Sequence, residues 1–288
     1  MQTTPSSHGQ ALWPACGEQR PDGRVIILWQ HCRNGDVSQA AYTAQRLGLA
    51  AEDIRAYDNS ALRLACGFGR LGMAQWLAHT YGLTAEDARA LDNASLRAAC
   101  ANGHLYMASW LTTQFGLTAG DARALDNDAL RAACWGGHLK VVQWLVQCFG
   151  LTAGDVRANR NCALRSACRN GHLRVAQWLA DVFDLAAEDA RACGDDALLT
   201  ACWSGRLDIV LWLGARFALS ADAVRAGDNL ALRIACEKGH RVVARALVTE
   251  FDLTASDVYE ALCQQSTLDV WLAELFCGPA VLATRVVK

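Results

Sequence analysis

Proline is missing from the entire interior of this sequence. Three of the four prolines in 288 residues lie at Pro5, Pro14 and Pro21, and the fourth is Pro279. No residue between Pro21 and Pro279 therefore breaks a helix by lacking an amide hydrogen. Charge of one sign is also lacking: Lys+Arg 27 against Asp+Glu 29 leaves −2 at pH 7. That balance argues against a protein whose main task is neutralising phosphate. Long apolar runs are absent near the start, where Val25 to Trp29 is far shorter than the about 18–20 residues a spanning helix needs. The first twenty residues contain no basic residue before Arg20 and no apolar core, so no secretory signal is expected. A charged fraction of only 19% with 52% hydrophobic residues excludes a disordered chain. Thirteen cysteines are few for a disulfide scaffold of this length, and most recur at one interval. An intracellular, cytoplasmic, soluble protein in a reducing compartment is expected.

What is present is repetition, which overrules the two-domain prior that length alone suggests. Gly48-Leu49-Ala50-Ala51-Glu52-Asp53 returns as Gly82-Leu83-Thr84-Ala85-Glu86-Asp87, as Gly116-Leu117-Thr118-Ala119-Gly120-Asp121, and again from Gly150. The period is 34, with degenerate copies from Asp184, Ala218 and Asp252. Cysteines at 32, 66, 100, 134, 168, 202 and 236 and tryptophans at 76, 110, 144, 178 and 212 keep the same interval. The expected organisation is a loose tail over 1–23, a degenerate N-terminal capping repeat over 24–47, six repeats over 48–251, and a degenerate C-terminal capping repeat and tail over 252–288. Within that last part Thr267 to Phe276, with Trp271 and Leu272, reads as a shortened closing helix pair.

In the unit 82–115, Asn93 precedes a short helix whose buried stripe is Leu96, Ala99 and Cys100 at i, i+3, i+4. Its equivalents Asn59, Asn127, Asn161, Asp195 and Asn229 are residue types that satisfy free amides at a helix start. Gly103 ends that helix. A second helix runs from His104, with Leu105, Met107, Trp110 and Leu111 on one side. Thr84 and Asp87 have the spacing of a capping box, which predicts a short helical turn in the linker. So short a unit cannot bury its own apolar face, and neighbours must stack into one core.

The segment Ala94-Ser95-Leu96-Arg97-Ala98-Ala99-Cys100-Ala101-Asn102-Gly103-His104-Leu105 resembles the ankyrin repeat, Thr-Pro-Leu-His-x-Ala-Ala-x-x-Gly-His, and does so six times. Proline is absent, Arg replaces His after Leu, Cys replaces the second Ala, and the unit is one residue longer than the usual 33. The Leu-Thr-Ala-x-Asp-x-Arg-Ala linker resembles a divergent type from protist and large-virus proteins, in which a helical turn replaces the β-hairpin finger. The expected fold is all-α: an ankyrin-like repeat solenoid of stacked helix-turn-helix units, each with an extra helical turn.

The candidate chemistry is mostly scaffold. Stacked helices about 8–10 Å apart hold periodic cysteines too far apart for disulfides, which need Cα atoms within about 4.4–6.8 Å, or for one shared zinc. Small buried residues between helices are expected there. His104, His138, His172 and His240 give way to Arg70 and Arg206 at the same place, an exchange that no metal site tolerates, so a capping role is expected. No metal, cofactor or small-molecule substrate is implied. No isolated nucleophile–base–orienter set and no phosphate-cradling loop appears, so no enzyme is expected.

Departures from the period point to recognition. The periodic tryptophans belong with the second helix's core. Trp135 and Trp203 instead occupy the slot after the periodic cysteine, otherwise held by Gly67, Ala101, Arg169 and Glu237. That slot lies about 140° around the helix from the buried leucine and faces outward. Four residues earlier stand Arg63, Arg97, Arg131, Arg165, Leu199 and Arg233, where Arg131 could stack on Trp135. The ankyrin resemblance implies another protein as partner, held on the concave surface of first helices and loops. Carried over by position, and with the two side chains packed beside the tryptophans, this gives Phe68, Ala101, Asn102, Arg131, Trp135, Arg169, Asn170, Leu199, Trp203, Ser204, Glu237 and Lys238. Loop positions Tyr57, Leu91, Leu125 and Asn159 are weaker candidates. A second arginine ladder at 55, 89, 123, 157, 191 and 225 raises nucleic-acid binding as the alternative, since transcription activator-like effectors also repeat every 34 residues. Their Gly-Gly-Lys-Gln loop is absent here, and an aspartate two residues before five of these arginines cancels much of the positive field. Nucleic acid and membrane are therefore not expected as partners.

Overall fold

A computed structural model describes residues 22–254, 256 and 257, except for the side chains of 192–196. Most of the expected N-terminal tail, the closing pair with Trp271 and Leu272, and the Asp195 side chain lie outside the described residues. The chain divides into two compact units, one ending at Asp155 and one starting at Val156. In the first unit the helices are α1 (Gly23–Asn34), α2 (Val37–Leu47), α3 (Ala51–Gly67), α4 (Leu71–Tyr81), α5 (Ala85–Ala101), α6 (Leu105–Phe115), α7 (Ala119–Ala122), α8 (Ala124–Trp135) and α9 (Leu139–Phe149). Helix α10 (Ala153–Asn170) contains the division. The second unit continues with α11 (Leu173–Val182), α12 (Ala187–Ala190), α13 (Ala192–Trp203), α14 (Leu207–Phe217), α15 (Ala221–Glu237) and α16 (Arg241–Glu250). No strand occurs among the described residues, and no helix there is long and apolar enough to cross a membrane. Each unit is an all-α stack of ankyrin-like helix pairs, as in a repeat solenoid.

Each repeat follows from local rules. Gly82, at φ 57°, ends α4 in the left-handed conformation. Asp87 Oδ2 then accepts from the Thr84 amide at 2.8 Å and from its hydroxyl at 3.2 Å, fixing one helical turn where a hairpin finger would otherwise stand. The turn is interrupted by three successive left-handed residues, Leu91, Asp92 and Asn93, before the first helix proper resumes. Tyr57-Asp58-Asn59, Leu125-Asp126-Asn127, Asn159-Arg160-Asn161 and Gly227-Asp228-Asn229 repeat this conformation.

That segment corrects the expected role of the asparagines. A side chain that caps a helix start needs an extended backbone at that residue, whereas Asn93 sits at φ 62°, ψ 38°. The buried Oδ1 atoms of Asn59, Asn93, Asn127 and Asn161 accept no hydrogen bond among the described residues. Asparagine is there because it tolerates left-handed backbone better than other non-glycine residues. In the second unit Asn161 also reaches the next repeat, donating through Nδ2 to the Asp189 carbonyl at 3.1 Å.

The carbonyls exposed by this turn are bound by the first arginine ladder. Arg63 Nη2 donates to the Tyr57 carbonyl at 3.0 Å, and Arg97 Nη2 to that of Leu91 at 3.1 Å. Arg165 Nη1 donates to the Arg160 carbonyl at 3.2 Å. These arginines were expected on an outward face; Arg63 is instead only 4% exposed. Leu91 and Leu125 remain 47% and 52% exposed while adopting φ 52°. A left-handed conformation costs a non-glycine residue about 1–2 kcal/mol, partly offset by the greater unfolded-chain entropy of glycine. Leu91→Gly and Leu125→Gly are each expected to stabilise the fold by about 1 kcal/mol. Equal or lower urea midpoints in the variants would mean that the exposed leucines make packing contacts worth more than the backbone cost.

The core is formed by the expected stripe. Leu96, Ala99 and Cys100 of α5 are fully buried, as are Ala108 and Leu111 of α6. Burial pushes the Cys32 and Cys202 thiols up to about 12 and those of Cys66, Cys100 and Cys168 higher still. The periodic cysteines are thus small core residues with inert thiols. The periodic tryptophans need correction. Trp76, Trp110, Trp144, Trp178 and Trp212 are half-buried rather than core residues. Each packs edge-on against the aromatic ring five residues later in chain order, from Trp76–Tyr81 to Trp212–Phe217, with centroids 5.5–6.0 Å apart. The faces of second helices that fill the core hold smaller residues such as Met107 and Leu111.

Candidate protein-binding surface

Two sets of periodic polar residues hold neighbouring repeats together and so define what is left over for binding. The first is a clasp at the end of each first helix. His104 Nε2 donates to the Gly67 carbonyl at 3.1 Å, His138 to that of Ala101 at 3.1 Å, and His240 to that of Trp203 at 3.0 Å. Arg70 Nε replaces the imidazole by donating to the Arg33 carbonyl at 2.8 Å. The His/Arg exchange therefore preserves one function, donation to a helix-end carbonyl of the preceding repeat. It is not the capping of the residue's own helix that the sequence suggested. Burial holds the His104 imidazole below its ordinary range, which favours the neutral ring that donates from Nε2.

The second set joins the linkers. Arg55 Nε reaches Asp87 at 3.0 Å, Arg89 reaches Asp121 at 2.8 Å, and Arg123 reaches Asp155 at 2.7 Å in the first unit. In the second unit Arg157 reaches Asp189 at 2.7 Å and Arg225 reaches Asp257 at 3.0 Å. The aspartate of each pair belongs to the following repeat, 32 residues on, not to the position two residues before the arginine. The same carboxylates complete the capping boxes. Burial alone would raise the Asp121 carboxyl, but hydrogen bonds from Arg89 and Thr118 hold it at about 2. For Asp155 the Arg123 hydrogen bond leads, and that carboxyl also lies at about 2. The arginines of this ladder that raised a nucleic-acid interface are spent on carboxylates in these five rungs.

Most of the candidate residues lie at the C-terminal ends of the first helices, beside the clasp. In the first unit, Phe68 is half-buried beneath the Arg33 guanidinium, 5.0 Å from its ring centre. Asn102 turns its amide back to the Ala98 carbonyl at 2.9 Å, and Ala101 is half-exposed beside it. Arg131, which could stack on Trp135, forms an ion pair with Asp128, which also binds Arg97 at 2.7 Å. Trp135 is half-buried.

In the second unit the candidates come together. Trp203 is the last residue of α13, and its backbone carbonyl is held by His240. Its ring is 47% exposed. The Lys238 ammonium sits 3.5 Å from the ring centre and 3.6 Å from the Glu237 carboxylate. Trp203, Leu199, Thr200, Arg169 and Ile234 line an open cleft of about 360 Å³. Leu199 and Trp203 share one helix face at i, i+4, as their spacing predicts. Asn170 donates its amide to the Ser166 carbonyl at 3.0 Å, and Ser204 is half-exposed behind the tryptophan. Thr200 and Ile234 were not expected. They occupy one period-34 slot, which runs Leu64, Ala98, Ala132, Ser166, Thr200, Ile234. The variation in that slot was visible, but its mostly small residues read as filler.

Among the described residues no group of three His, Cys, Asp or Glu side chains could hold a metal ion. Comparison with known proteins gives one family. Residues 130–222 match the sequence profile of ankyrin repeats in three copies. No curated protein matches the sequence significantly. Ankyrin repeats are generally protein–protein interaction modules and typically non-catalytic. The profile match identifies residues 130–222 as ankyrin repeats, in keeping with the 34-residue period and the stacked helix pairs.

Proposed function

We propose that the protein is a non-enzymatic scaffold that binds a partner protein through the first-helix face, the counterpart of the concave face in ankyrin arrays. The observation that carries this reading is the 47% exposure of Trp203 in a slot that breaks the period. Desolvating an exposed indole is among the most favourable steps in protein association, and tryptophan anchors are common at interface centres. Arg169, Leu199, Glu237 and Lys238 surround it, with Asn170 and Ser204 at the edge. In the first unit Trp135, with Phe68, Ala101, Asn102 and Arg131, offers a second and more recessed surface. The charged rim would tune encounter and specificity more than affinity. The periodic histidines and the linker arginines and aspartates are engaged between repeats, which supports these exceptions as the residues that recognise.

The test is affinity capture with the immobilised full chain, followed by identification of co-purifying proteins. Trp203→Ala is expected to remove about 2 kcal/mol or more of binding, an about thirtyfold loss that abolishes capture. Retention of every captured protein by Trp203→Ala combined with Trp135→Ala would refute the reading.

A further inference from the structure

The cleft beside Trp203 also constrains the chemistry of what enters it. Resting on the scaffold reading, the geometry points to an acidic partner segment, one apolar side chain flanked by carboxylates, as the occupant. An exposed tryptophan can recognise a partner in two opposite ways: its π face can take a cation, or its ring can take an apolar group. One face already carries a cation, because the Lys238 ammonium lies 3.5 Å from the ring centre. A partner lysine or arginine would meet that ammonium and, on the cleft wall, Arg169. Like charges so placed repel, and repulsion of this kind rejects wrong partners.

The remaining walls are apolar. Leu199 and Ile234 flank the indole. Thr200, whose hydroxyl donates to the Ala197 carbonyl at 3.1 Å, also lines the cleft. The cleft is therefore largely apolar, with Arg169 in its wall and the Lys238 ammonium over the indole that borders it. Glu237, whose side chain is 61% exposed, is not part of the cleft lining and pairs with Lys238 at 3.6 Å. A leucine- or phenylalanine-sized group suits the apolar lining, and neighbouring carboxylates suit the two cations.

The probe is a pair of capped heptapeptides, each with a central phenylalanine, flanked in one by glutamates and in the other by lysines. Binding is read on the intact protein from the ¹⁵N-labelled indole resonances, with Trp203→Ala identifying its own signal. The glutamate peptide is expected to shift the Trp203 resonance saturably and the lysine peptide not to shift it. Arg169→Glu combined with Lys238→Glu should weaken the glutamate peptide about tenfold or more and admit the lysine peptide. A lysine peptide that shifts Trp203 as strongly as its counterpart, or silence with both peptides, overturns the proposal. Capture of a partner through Trp203 that is indifferent to the double charge reversal would overturn the acidic occupant and leave the scaffold reading standing. Loss of Trp203-dependent capture altogether would remove the scaffold reading itself.

Discussion

Gly103→Ala is expected to destabilise the protein by about 3 kcal/mol, the sum of a backbone cost of about 1–2 and a packing cost of about 1–3 kcal/mol. Gly103 adopts φ 76°, and a β-carbon there would lie 2.5 Å from His138 Nδ1. The imidazole cannot simply yield, because its Nε2 donates to the Ala101 carbonyl at 3.1 Å. Moving the ring would leave a helix-end carbonyl without its donor. Gly82 supplies the control: it is left-handed at φ 57°, but nothing lies within 4 Å of an added β-carbon. Gly82→Ala should therefore cost only the backbone part, about 1–2 kcal/mol. Urea unfolding of the two variants separates the effects. Equal losses would mean that the histidine clasp does not constrain the glycine.

The linker ladder carries the second large effect. Asp121→Ala removes the Arg89 ion pair and both capping-box bonds from Thr118. A lost cap costs about 1 kcal/mol and a half-exposed ion pair adds up to about 1 more, so about 2 kcal/mol is expected at pH 7. The pH dependence follows from the sign of the shift. Asp121 is held at about 2 in the folded protein against an ordinary value of 3.8. A carboxylate with a lowered pKa stabilises the fold above its unfolded value, and that contribution disappears as pH falls through the folded one. The parent protein should lose stability between about pH 4 and 2, as Asp121, Asp155 and the other ladder aspartates with lowered values, Asp87, Asp189 and Asp257, take up protons. Asp121→Ala should be about 2 kcal/mol weaker at pH 7 and approach the parent near pH 2. A difference that stays constant across that range would show that Asp121 acts only through packing.

Helix pairs, glycine stops, buried leucines and capping boxes were legible in the sequence because each rests on contacts within a few residues of one another. Partners one repeat away were not. The interval between Asp87 and Arg89 drew attention to two residues of one linker, yet Asp87 binds Arg55 of the preceding linker. The left-handed triplets were hidden for a related reason. Asn93 is equally suited to an extended cap and to a left-handed position, and residue type alone does not choose between them. Leu91, at φ 52°, is a residue that local preference would never place there. At the candidate surface, Leu199 and Trp203 were found by their departure from the period. Thr200 and Ile234 escaped because four of the six residues in their slot are small enough to read as packing. Trp203 itself was legible because its size and place both broke the pattern.

Periodic residues hold neighbouring repeats together, and the proposed function assigns the exceptions to a partner. Equilibrium urea unfolding of Trp203→Ala tests this most directly. This division predicts a loss of no more than about 1 kcal/mol, the worth of the exposed cation–π contact with Lys238. A loss of about 3 kcal/mol or more, the cost of truncating a core aromatic, would contradict it.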